Sequence, residues 1–384
     1  MVMKKITVAV FTSLLMVAIF GSPTFNQVHA IGVDTTIKVG LFPEGIAYDS
    51  SKGEMYVANW LSDSVSVISD SNNTAIANIT VGSNPDGIVY DSGKGELFVT
   101  NYASSHPTGT VSVISDSNHS VIATIPVESM PDGIAYDSSR NEIFVANYGS
   151  GNVSVISDDS NAVVTTIGVG SKPVGISFDS NKNEAFVANS NSGMISVISD
   201  ASNTVVATIA VSNSPYINPY FLAYDSNKSE TFVTTTNTNP ETGSHTVAVI
   251  SDISNTVVTS ITVGFNPNGI AYDFLRGLLF VANYADNTAS VISDSNNSFI
   301  ANVTVETNPV WVAYDSGKGE IFVSNSGDNT VSVISDFTNA SITPTSSIPE
   351  FSIPMIILAL TLFSGISVII IHKRKQQLAR ITAN

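Results

Sequence analysis

The chain repeats one unit of four short hydrophobic runs. Its third copy reads Pro131-Asp-Gly-Ile-Ala-Tyr-Asp137, Ile143-Phe-Val-Ala-Asn147, Val153-Ser-Val-Ile-Ser-Asp158 and Val163-Val-Thr-Thr-Ile167. An aromatic residue followed by Asp marks every copy and occurs seven times at intervals of 42 to 48 residues, at Tyr48-Asp49, Tyr90-Asp91, Tyr136-Asp137, Phe178-Asp179, Tyr224-Asp225, Tyr272-Asp273 and Tyr314-Asp315. A period of this length with four β-rich runs per copy predicts the blades of a β-propeller.

The runs have the composition of β-strands. They are rich in Val, Ile, Phe, Tyr and Thr, and turn-forming clusters such as Asp91-Ser-Gly-Lys-Gly-Glu96 separate them. No segment between Ala30 and Pro349 shows a helical period, which excludes solenoids of helical repeats. The sequence therefore predicts an all-β, seven-bladed β-propeller over residues 31–336, with four antiparallel strands in each blade.

The seventh copy lacks its fourth run. A circular fold must join its first and last blades or leave an exposed sheet edge. Before the first copy stands Thr35-Thr-Ile-Lys-Val-Gly40, which aligns with the fourth run Ala123-Thr-Ile-Pro-Val127 of another copy. We therefore expect this N-terminal strand to complete the last blade.

Residues 1–30 have the layout of a secretory signal peptide. Lys4 and Lys5 precede the apolar run Ile6–Phe20, and Val28-His29-Ala30 is a small-x-small cleavage site. The alternative is an uncleaved anchor, for which an apolar run of about 15 residues is short. We expect cleavage after Ala30.

The C-terminal end predicts a membrane anchor. Residues 353–371 carry no charge, enough for a transmembrane helix, and the basic tail 372–384 follows. The positive-inside rule places that tail in the cytoplasm. Residues 337–352, rich in Ser, Thr and Pro, predict a stalk. The propeller is thus expected outside the cell, at the cell surface and anchored in the plasma membrane.

The second run ends in a repeated Phe/Tyr-Val-Ala/Thr-Asn segment, for example Phe98-Val-Thr-Asn101. This segment resembles the YVTN-type β-propeller repeat, a family that includes archaeal surface-layer proteins and bacterial periplasmic propellers. Two copies depart from the pattern: in the fifth, Phe221 stands where most copies have Gly and Thr235 replaces the Asn, and in the seventh Trp311 replaces the Gly. The matching segments are Tyr56–Asn59, Phe98–Asn101, Phe144–Asn147, Phe186–Asn189, Phe280–Asn283 and Phe322–Asn325.

Pro349-Glu350-Phe351 directly precedes the apolar segment and basic tail. This layout resembles the PEF sorting signal of archaeal surface proteins, which implies removal of the helix by a sortase and its replacement by a lipid. A plain single-span anchor is the alternative.

The charge of the chain is strongly acidic, with a formal net charge of −17. All 32 acidic residues lie between Ile31 and Ser352. Such a surface repels phosphate backbones, so no nucleic-acid partner is expected. Cations and basic partners would be attracted. The chain has no cysteine, which excludes disulfides and thiolate metal sites.

The repeated polar residues are interpreted as structural. Asp at the ends of the first and third runs can cap the backbone N–H groups of the turn that follows. The Asn that ends the second run receives the same interpretation. The Gly of the Pro-x-Gly motif permits a close backbone approach in the innermost strand.

Departures from the repeat are better candidates for function. Relative to the 42-residue period, extra residues occur near 103–109, 213–218 and 236–244. Because strand direction alternates, the loops between strands 2 and 3 and the connections from strand 4 to the next blade lie on the same face. All three insertions fall in these loops and connections. This face is therefore the predicted binding surface. Its candidate residues are His106, Tyr216, Tyr220, His245, Asn268 and Trp311.

The x of Pro-x-Gly lies near the central channel on the same face. Three neighbouring copies carry carboxylates there, namely Glu44, Asp86 and Asp132. Oxygen ligands suit Ca²⁺ or Mg²⁺, so these residues are a candidate Ca²⁺ site. The alternative is a solvated acidic rim. No other cofactor is indicated.

Eight N-x-Ser/Thr sequons occur in a chain expected outside the cell. Those in predicted turns between strands 3 and 4 are the best glycosylation candidates: Asn72, Asn118 and Asn296.

Three functions are compatible with the sequence. The first is a non-enzymatic binding or adhesion module that takes a protein or glycan ligand at the cell surface. The second is an extracellular propeller enzyme, lactonase- or lyase-like, with a divalent cation at the acidic rim. The third is a component of a surface layer.

Overall fold

A computed structural model describes residues 31–103, 107–239 and 245–335. These residues form 28 strands in seven separate four-stranded sheets, and every strand pair is antiparallel. Each innermost strand packs against the innermost strands of both neighbouring sheets, so the seven sheets close into a ring around a central channel. The predicted all-β, seven-bladed propeller is confirmed.

The strands are numbered in chain order, and the blades from 1 to 7. The innermost strands are β2 (Pro43–Asp49), β6 (Pro85–Asp91), β10 (Pro131–Asp137), β14 (Pro173–Asp179), β18 (Ile217–Asp225), β22 (Pro267–Asp273) and β26 (Pro309–Asp315). The second strands are β3 (Glu54–Asn59), β7 (Glu96–Asn101), β11 (Glu142–Asn147), β15 (Glu184–Asn189), β19 (Glu230–Asn237), β23 (Leu278–Asn283) and β27 (Glu320–Asn325).

The third strands are β4 (Ser64–Ser69), β8 (Thr110–Ser115), β12 (Asn152–Ser157), β16 (Met194–Ser199), β20 (Thr246–Ser251), β24 (Thr288–Ser293) and β28 (Thr330–Ser335). The outer strands of blades 1 to 6 are β5 (Thr74–Thr80), β9 (Ser120–Pro126), β13 (Ala162–Gly168), β17 (Thr204–Ala210), β21 (Thr256–Thr262) and β25 (Ser298–Thr304).

The outer strand of blade 7 comes from the start of the chain. Strand β1 (Gly32–Lys38) pairs antiparallel with β28, and Ile37 lies opposite Val331. Ile37 is buried, because it packs into a cluster shared by blades 7 and 1. The predicted closure by an N-terminal strand is confirmed, and the strand begins three residues before the predicted start.

The hydrophobic core lies between the sheets. The aromatic residue that begins the repeated Phe/Tyr-Val-Ala/Thr-Asn segment is fully buried in every blade, and its neighbours come partly from the adjacent sheet. Burying one such side chain contributes about 1.5–3 kcal/mol. The seven rings are Tyr56, Phe98, Phe144, Phe186, Phe232, Phe280 and Phe322.

The repeated Asp at the end of each innermost strand caps a turn, as predicted. In blade 1 the Oδ1 atom of Asp49 accepts hydrogen bonds from the backbone N–H groups of Ser51 and Lys52, at 2.8 and 3.2 Å. The bond to the residue two positions later recurs in the other six blades.

The Asn that ends the second strand is also structural. Its Nδ2 group donates to hydroxyls on the third strand, for example from Asn59 to Ser66 at 3.0 Å. In blade 5, Thr235 replaces the Asn, and its hydroxyl bonds to Thr246 instead.

Lysines in the turns between strands 1 and 2 join neighbouring blades, which sequence reasoning missed. Lys52 of blade 1 donates to the carbonyl oxygen of Asp116 in blade 2, and its Nζ lies 3.4 Å from Oδ1 of the same residue. Lys318 of blade 7 reaches the Asp70 carbonyl of blade 1 in the same way. The Asp that follows the third strand therefore contacts the adjacent blade, and in blade 1 its side chain also accepts a hydrogen bond from the Tyr48 hydroxyl at 3.1 Å.

No helix within residues 31–103, 107–239 and 245–335 is long and apolar enough to cross a bilayer. The predicted signal peptide, stalk, transmembrane helix and basic tail lie outside the described residues.

The Gly of Pro-x-Gly sets the distance between neighbouring innermost strands. Each motif forms a β-bulge, seen as a register shift between Pro131 and Ile134 in blade 3. A Cβ atom on Gly133 would lie 2.2 Å from the carbonyl oxygen of Val174 in the next blade. Comparable approaches occur at Gly45, Gly87, Gly175 and Gly269.

We expect Gly133→Ala to lower the free energy of unfolding by about 1–3 kcal/mol, because the added methyl group forces adjacent blades apart. The matched control is Gly168→Ala in an outer strand, where an added Cβ meets no atom within 4 Å. That change should be neutral or stabilising by about 0.5–1 kcal/mol. Urea denaturation of both variants measures the difference, and equal destabilisation would contradict the proposed constraint.

Candidate functional site at the channel mouth

We call the face that carries the strand 2–3 loops and the connections between blades the upper face. A cavity of about 390 Å³ opens there at the mouth of the channel, and we call it the upper cavity. The x residues of the five Pro-x-Gly motifs and the equivalent residues of blades 5 and 7 all line it, so this variable position converges on one place. Its lining residues are Phe42, Glu44, Trp60, Asp86, Tyr102, Asp132, Val174, Tyr220, Phe221, Asn268 and Val310.

The three predicted carboxylates share this cavity. Asp86 is only 9% exposed, and Glu44 and Asp132 are half-buried. Burial raises the pKa of Asp86 to about 7. Burial, followed by repulsion from neighbouring carboxylates, raises the pKa of Glu44 and of Asp132 well above the ordinary range. Within the described residues, no Lys or Arg forms an ion pair with any of the three.

The arrangement does not have the geometry of a metal centre. Among the residues the structure describes, no group of three or more His, Cys, Asp or Glu side chains could hold a metal ion. Ca²⁺ takes six to eight oxygen ligands at about 2.3–2.6 Å. The carboxylates lie on three successive innermost strands and face a common space, without a closed coordination shell.

An aromatic arc borders the same three blades, and sequence reasoning missed it. We define it as Trp60, Tyr102 and Tyr148, the residues that directly follow the Asn at the end of the second strand in blades 1, 2 and 3. The ring centroids of Trp60 and Tyr102 are 4.9 Å apart, and those of Tyr102 and Tyr148 are 6.1 Å apart. The signal was present in the sequence, since only some copies carry an aromatic residue at this position.

The arc is electrostatically coupled to the carboxylates. Burial first, and then the nearby charges of Asp132 and Asp86, raise the pKa of the Tyr102 hydroxyl to about 12. At the end of the arc, the Nζ of Lys172 lies 5.2 Å from the ring centroid of Tyr148, a cation–π contact within the protein.

The backbone at the mouth is strained at Phe42, which lines the cavity. In six of the seven blades the residue before the Pro of the motif adopts a left-handed conformation, with φ of 55° at Phe42 and 52° at Asn84. Asn tolerates this conformation, whereas a bulky side chain seldom adopts it. Phe42, Met130 and Lys172 therefore hold unfavourable backbone angles around one half of the mouth.

Two departures from the Gly of the motif meet inside the channel. Phe221 of blade 5 and Trp311 of blade 7 contact each other with ring centroids 4.4 Å apart. Blade 6 lies between them and carries Gly269, so the two rings meet across its channel-facing side. Phe221 lines the upper cavity, and Trp311 packs against the same hydrophobic cluster as Phe221.

The two insertions around blade 5 form one structure. Strands β18 and β19 extend beyond those of the other blades, and Ile217 pairs with Asn237. The backbone N–H of Thr238 continues the pairing with the carbonyl of Tyr216, at 2.9 Å. This hairpin borders a second cavity of about 550 Å³, which shares Tyr220 and Asn268 with the upper cavity.

The remaining binding-face candidates have different settings. Tyr216 is exposed on the hairpin. His245 is 5% exposed and packs against Phe265, with centroids 4.8 Å apart, so its ring supports the hairpin from inside. Burial lowers the pKa of His245. His106 lies outside the described residues.

The candidate glycosylation residues lie on the opposite face, in turns between strands 3 and 4. Asn72, Asn118 and Asn296 are all exposed. Glycans attached there would leave the upper face uncovered.

Comparison with known proteins identifies the architecture. No protein-family model and no curated protein matches the chain. Among solved structures, it resembles a Kuenenia stuttgartiensis hydrazine synthase chain with a TM-score of 0.69 and 16% sequence identity. The match covers 82% of this chain and 99% of the hydrazine synthase chain. At this identity, the resemblance shows the propeller fold alone.

We predict that Asp86→Asn changes the pH dependence of stability. Because burial raises the Asp86 pKa from 3.8 to about 7, its contribution favours folding at low pH and is lost as the pH rises toward 7. Each pKa unit corresponds to about 1.4 kcal/mol, so the variant should gain on the order of 2–4 kcal/mol over wild type between about pH 4 and pH 8.

Urea denaturation across this pH range measures the effect. Asp159→Asn, at a carboxylate with a 77% exposed side chain, is the control and should follow the wild-type profile. Identical profiles for wild type and Asp86→Asn would contradict the prediction.

Proposed function

We propose that the protein is a non-enzymatic binding module of the cell surface whose ligand enters the upper cavity. One observation carries this proposal: the residues that break the sevenfold repeat converge at one end of the channel. The variable x residues, the aromatic arc and the hairpin of blade 5 all border that end. The residues that differ between the repeats are concentrated around the upper end of the channel, which is typical of binding surfaces on repeat folds.

The shape of the site favours a protruding group over a flat contact. Phe221 lines the cavity and its ring contacts Trp311, so a ligand that enters from the upper face meets an aromatic pair. A side chain of a protein partner or a terminal group of a glycan fits such a depression. We therefore propose a protein or glycan ligand.

The cell-surface assignment rests on the two ends of the sequence. A signal peptide over residues 1–30 and a charge-free segment over 353–371 would place the propeller outside the plasma membrane, on the stalk of residues 337–352. Exposed sequons on the lower face support the same location. We assign the repeat to the YVTN type on the six matching second-strand segments, and Pro349-Glu350-Phe351 to a PEF-type sorting signal.

A surface-layer role is a second candidate, and the rim of the propeller favours it. The outer strands expose pairs of apolar side chains, for example Val163 and Val164 at 37% and 52%, and Val205 and Val206 at 36% and 53%. Similar residues recur on the other outer strands, at Ile76, Val121, Ile122, Val258, Phe299 and Ile300. A repeated apolar rim suits lateral contacts between copies.

A propeller enzyme is a further candidate, favoured by the raised pKa of Asp86. A carboxyl group with a pKa of about 7 can donate or accept a proton at neutral pH. Loss of lactone hydrolysis in Asp86→Asn, measured against wild type, would support this alternative over the binding module.

We expect the mature protein to begin at Ile31 and to present its propeller outside the cell. Intact mass of protein extracted from membranes of the producing cells determines the N-terminus. Loss of residues beyond about Phe351 would support sorting and lipid attachment, whereas retention would support a single span. Protease added to intact cells should release the propeller, and a retained Met1 with full protection would contradict the surface assignment.

Binding should depend on the upper face. We expect Tyr220→Ala to weaken binding of the full-length protein to a glycan array, and to the surface of producing cells that lack the gene, by about tenfold or more, because a buried aromatic anchor is lost. The control is Leu275→Ala, an exposed residue of a lower-face turn, which should bind like wild type. Equal effects of both substitutions would contradict an upper-face site.

A further inference from the structure

The upper cavity holds three carboxyl groups, and no basic side chain of the described residues forms an ion pair with them. Asp86 is more than nine-tenths buried, lines the cavity, and has no side-chain hydrogen bond or ion pair within the described part of the chain. The Oδ1 atom of Asn268, in the same lining, is also buried without a hydrogen-bond partner. Elsewhere in the propeller, Asp273 has an ion pair with Arg276 at 2.8 Å, and the buried Asp49 accepts hydrogen bonds from backbone N–H groups of its turn.

Burying a carboxylate is unfavourable unless a cation or hydrogen-bond donors compensate it. Glu44 and Asp132 add two further carboxylates to the same space. The cavity is therefore complementary to a ligand that brings positive charge and N–H or polarised C–H groups.

The aromatic arc defines which kind of cation fits. Trp60 and Tyr102 line the cavity together with the carboxylates of the same blades, and their rings are 4.9 Å apart at the centroids. Aromatic faces bind organic cations through the ring quadrupole, with Trp the most effective. The Lys172–Tyr148 contact shows that the far end of this arc already accommodates an ammonium group.

We propose that the upper cavity binds an organic cation, an alkylammonium or guanidinium group, held between the Trp60–Tyr102 rings and the carboxylates of Glu44, Asp86 and Asp132. This inference rests on the proposed binding function and names its ligand class. An organic cation is weakly hydrated and has a partly apolar surface. A cavity with aromatic walls beside carboxylates therefore suits it better than it suits a strongly hydrated Ca²⁺ ion.

The cation could belong to a free small molecule or to a Lys or Arg side chain of a protein partner. Both present the same chemistry at the mouth. The upper cavity, at about 390 Å³, is large enough for either. Titration with choline and with peptides separates these two sources.

Calorimetric titration of the full-length protein, purified in a maltoside detergent at low salt, tests the proposal with a matched pair of probes. Choline carries a quaternary ammonium group, and 3,3-dimethylbutan-1-ol has the same shape without the charge. We expect choline to bind about tenfold or more tightly than the alcohol, since cation–π and carboxylate contacts both require the charge. Peptides that contain trimethyllysine or arginine form a second arm, and CaCl₂ forms a third.

Substitutions then locate the site. Asp132→Asn and Trp60→Leu should each weaken choline binding by about tenfold, because one removes a charge and the other removes the ring while keeping apolar volume. The matched controls are Asp159→Asn and Phe274→Leu, an exposed carboxylate and an exposed lower-face ring, which should bind choline like wild type. Near-ultraviolet circular dichroism checks folding, and Tyr102→Leu replaces Trp60→Leu if that variant misfolds.

Tighter binding of a peptide than of choline would identify the source as a partner side chain, and the reverse would identify a free small molecule. Equal binding of choline and the alcohol, binding of Ca²⁺ alone, or no binding of choline and the peptides would overturn the proposal. If these probes fail while Tyr220→Ala still weakens binding to cells or glycans, only the organic-cation inference is wrong. If neither experiment gives upper-face binding, the proposed function is wrong as well.

Discussion

Packing between neighbouring sheets is the interaction on which the whole structure depends. Each blade has a fully buried aromatic ring on its second strand, and residues of the adjacent blade belong to the same hydrophobic cluster, as around Tyr56. A blade therefore cannot bury its core alone. The ring must close, and strand β1 closes it by completing blade 7 at the start of the chain. Glycine in the innermost strands lets adjacent backbones approach closely. Lysines in the turns between strands 1 and 2, such as Lys52, also join neighbouring blades.

The same closeness explains where variation is tolerated. The buried ring that packs against a neighbouring sheet is Phe or Tyr in every copy, whereas the x of Pro-x-Gly lines the upper cavity and takes five identities in seven copies. Phe221 and Trp311 stand where the other five blades have Gly, and their rings contact each other. Differences between copies consequently accumulate around the channel, where they build an asymmetric site on a nearly symmetric scaffold.

The upper cavity combines carboxyl groups with aromatic rings. Three carboxyl groups share one cavity with aromatic rings, and their pKa values rise because burial opposes ionisation, with repulsion between carboxylates adding to it at Glu44 and Asp132. A structure built only for stability would replace them with neutral residues. Their retention beside strained backbone at Phe42 is consistent with a site that is completed by a positively charged ligand.

The sequence by itself determined the scaffold. Strand alternation, turn residues and the missing seventh run are local patterns, so they predicted seven blades, closure by the N-terminal strand, and the turn-capping roles of Asp49 and its equivalents. The tertiary structure alone decided which distant residues meet. The aromatic arc beside the carboxylates, the Phe221–Trp311 contact, the paired insertions of blade 5 and the burial of His245 depend on side-chain direction and on distances between blades. The spacing of residues within one repeat does not determine side-chain direction or the distance between blades, because both depend on the angle at which neighbouring copies pack.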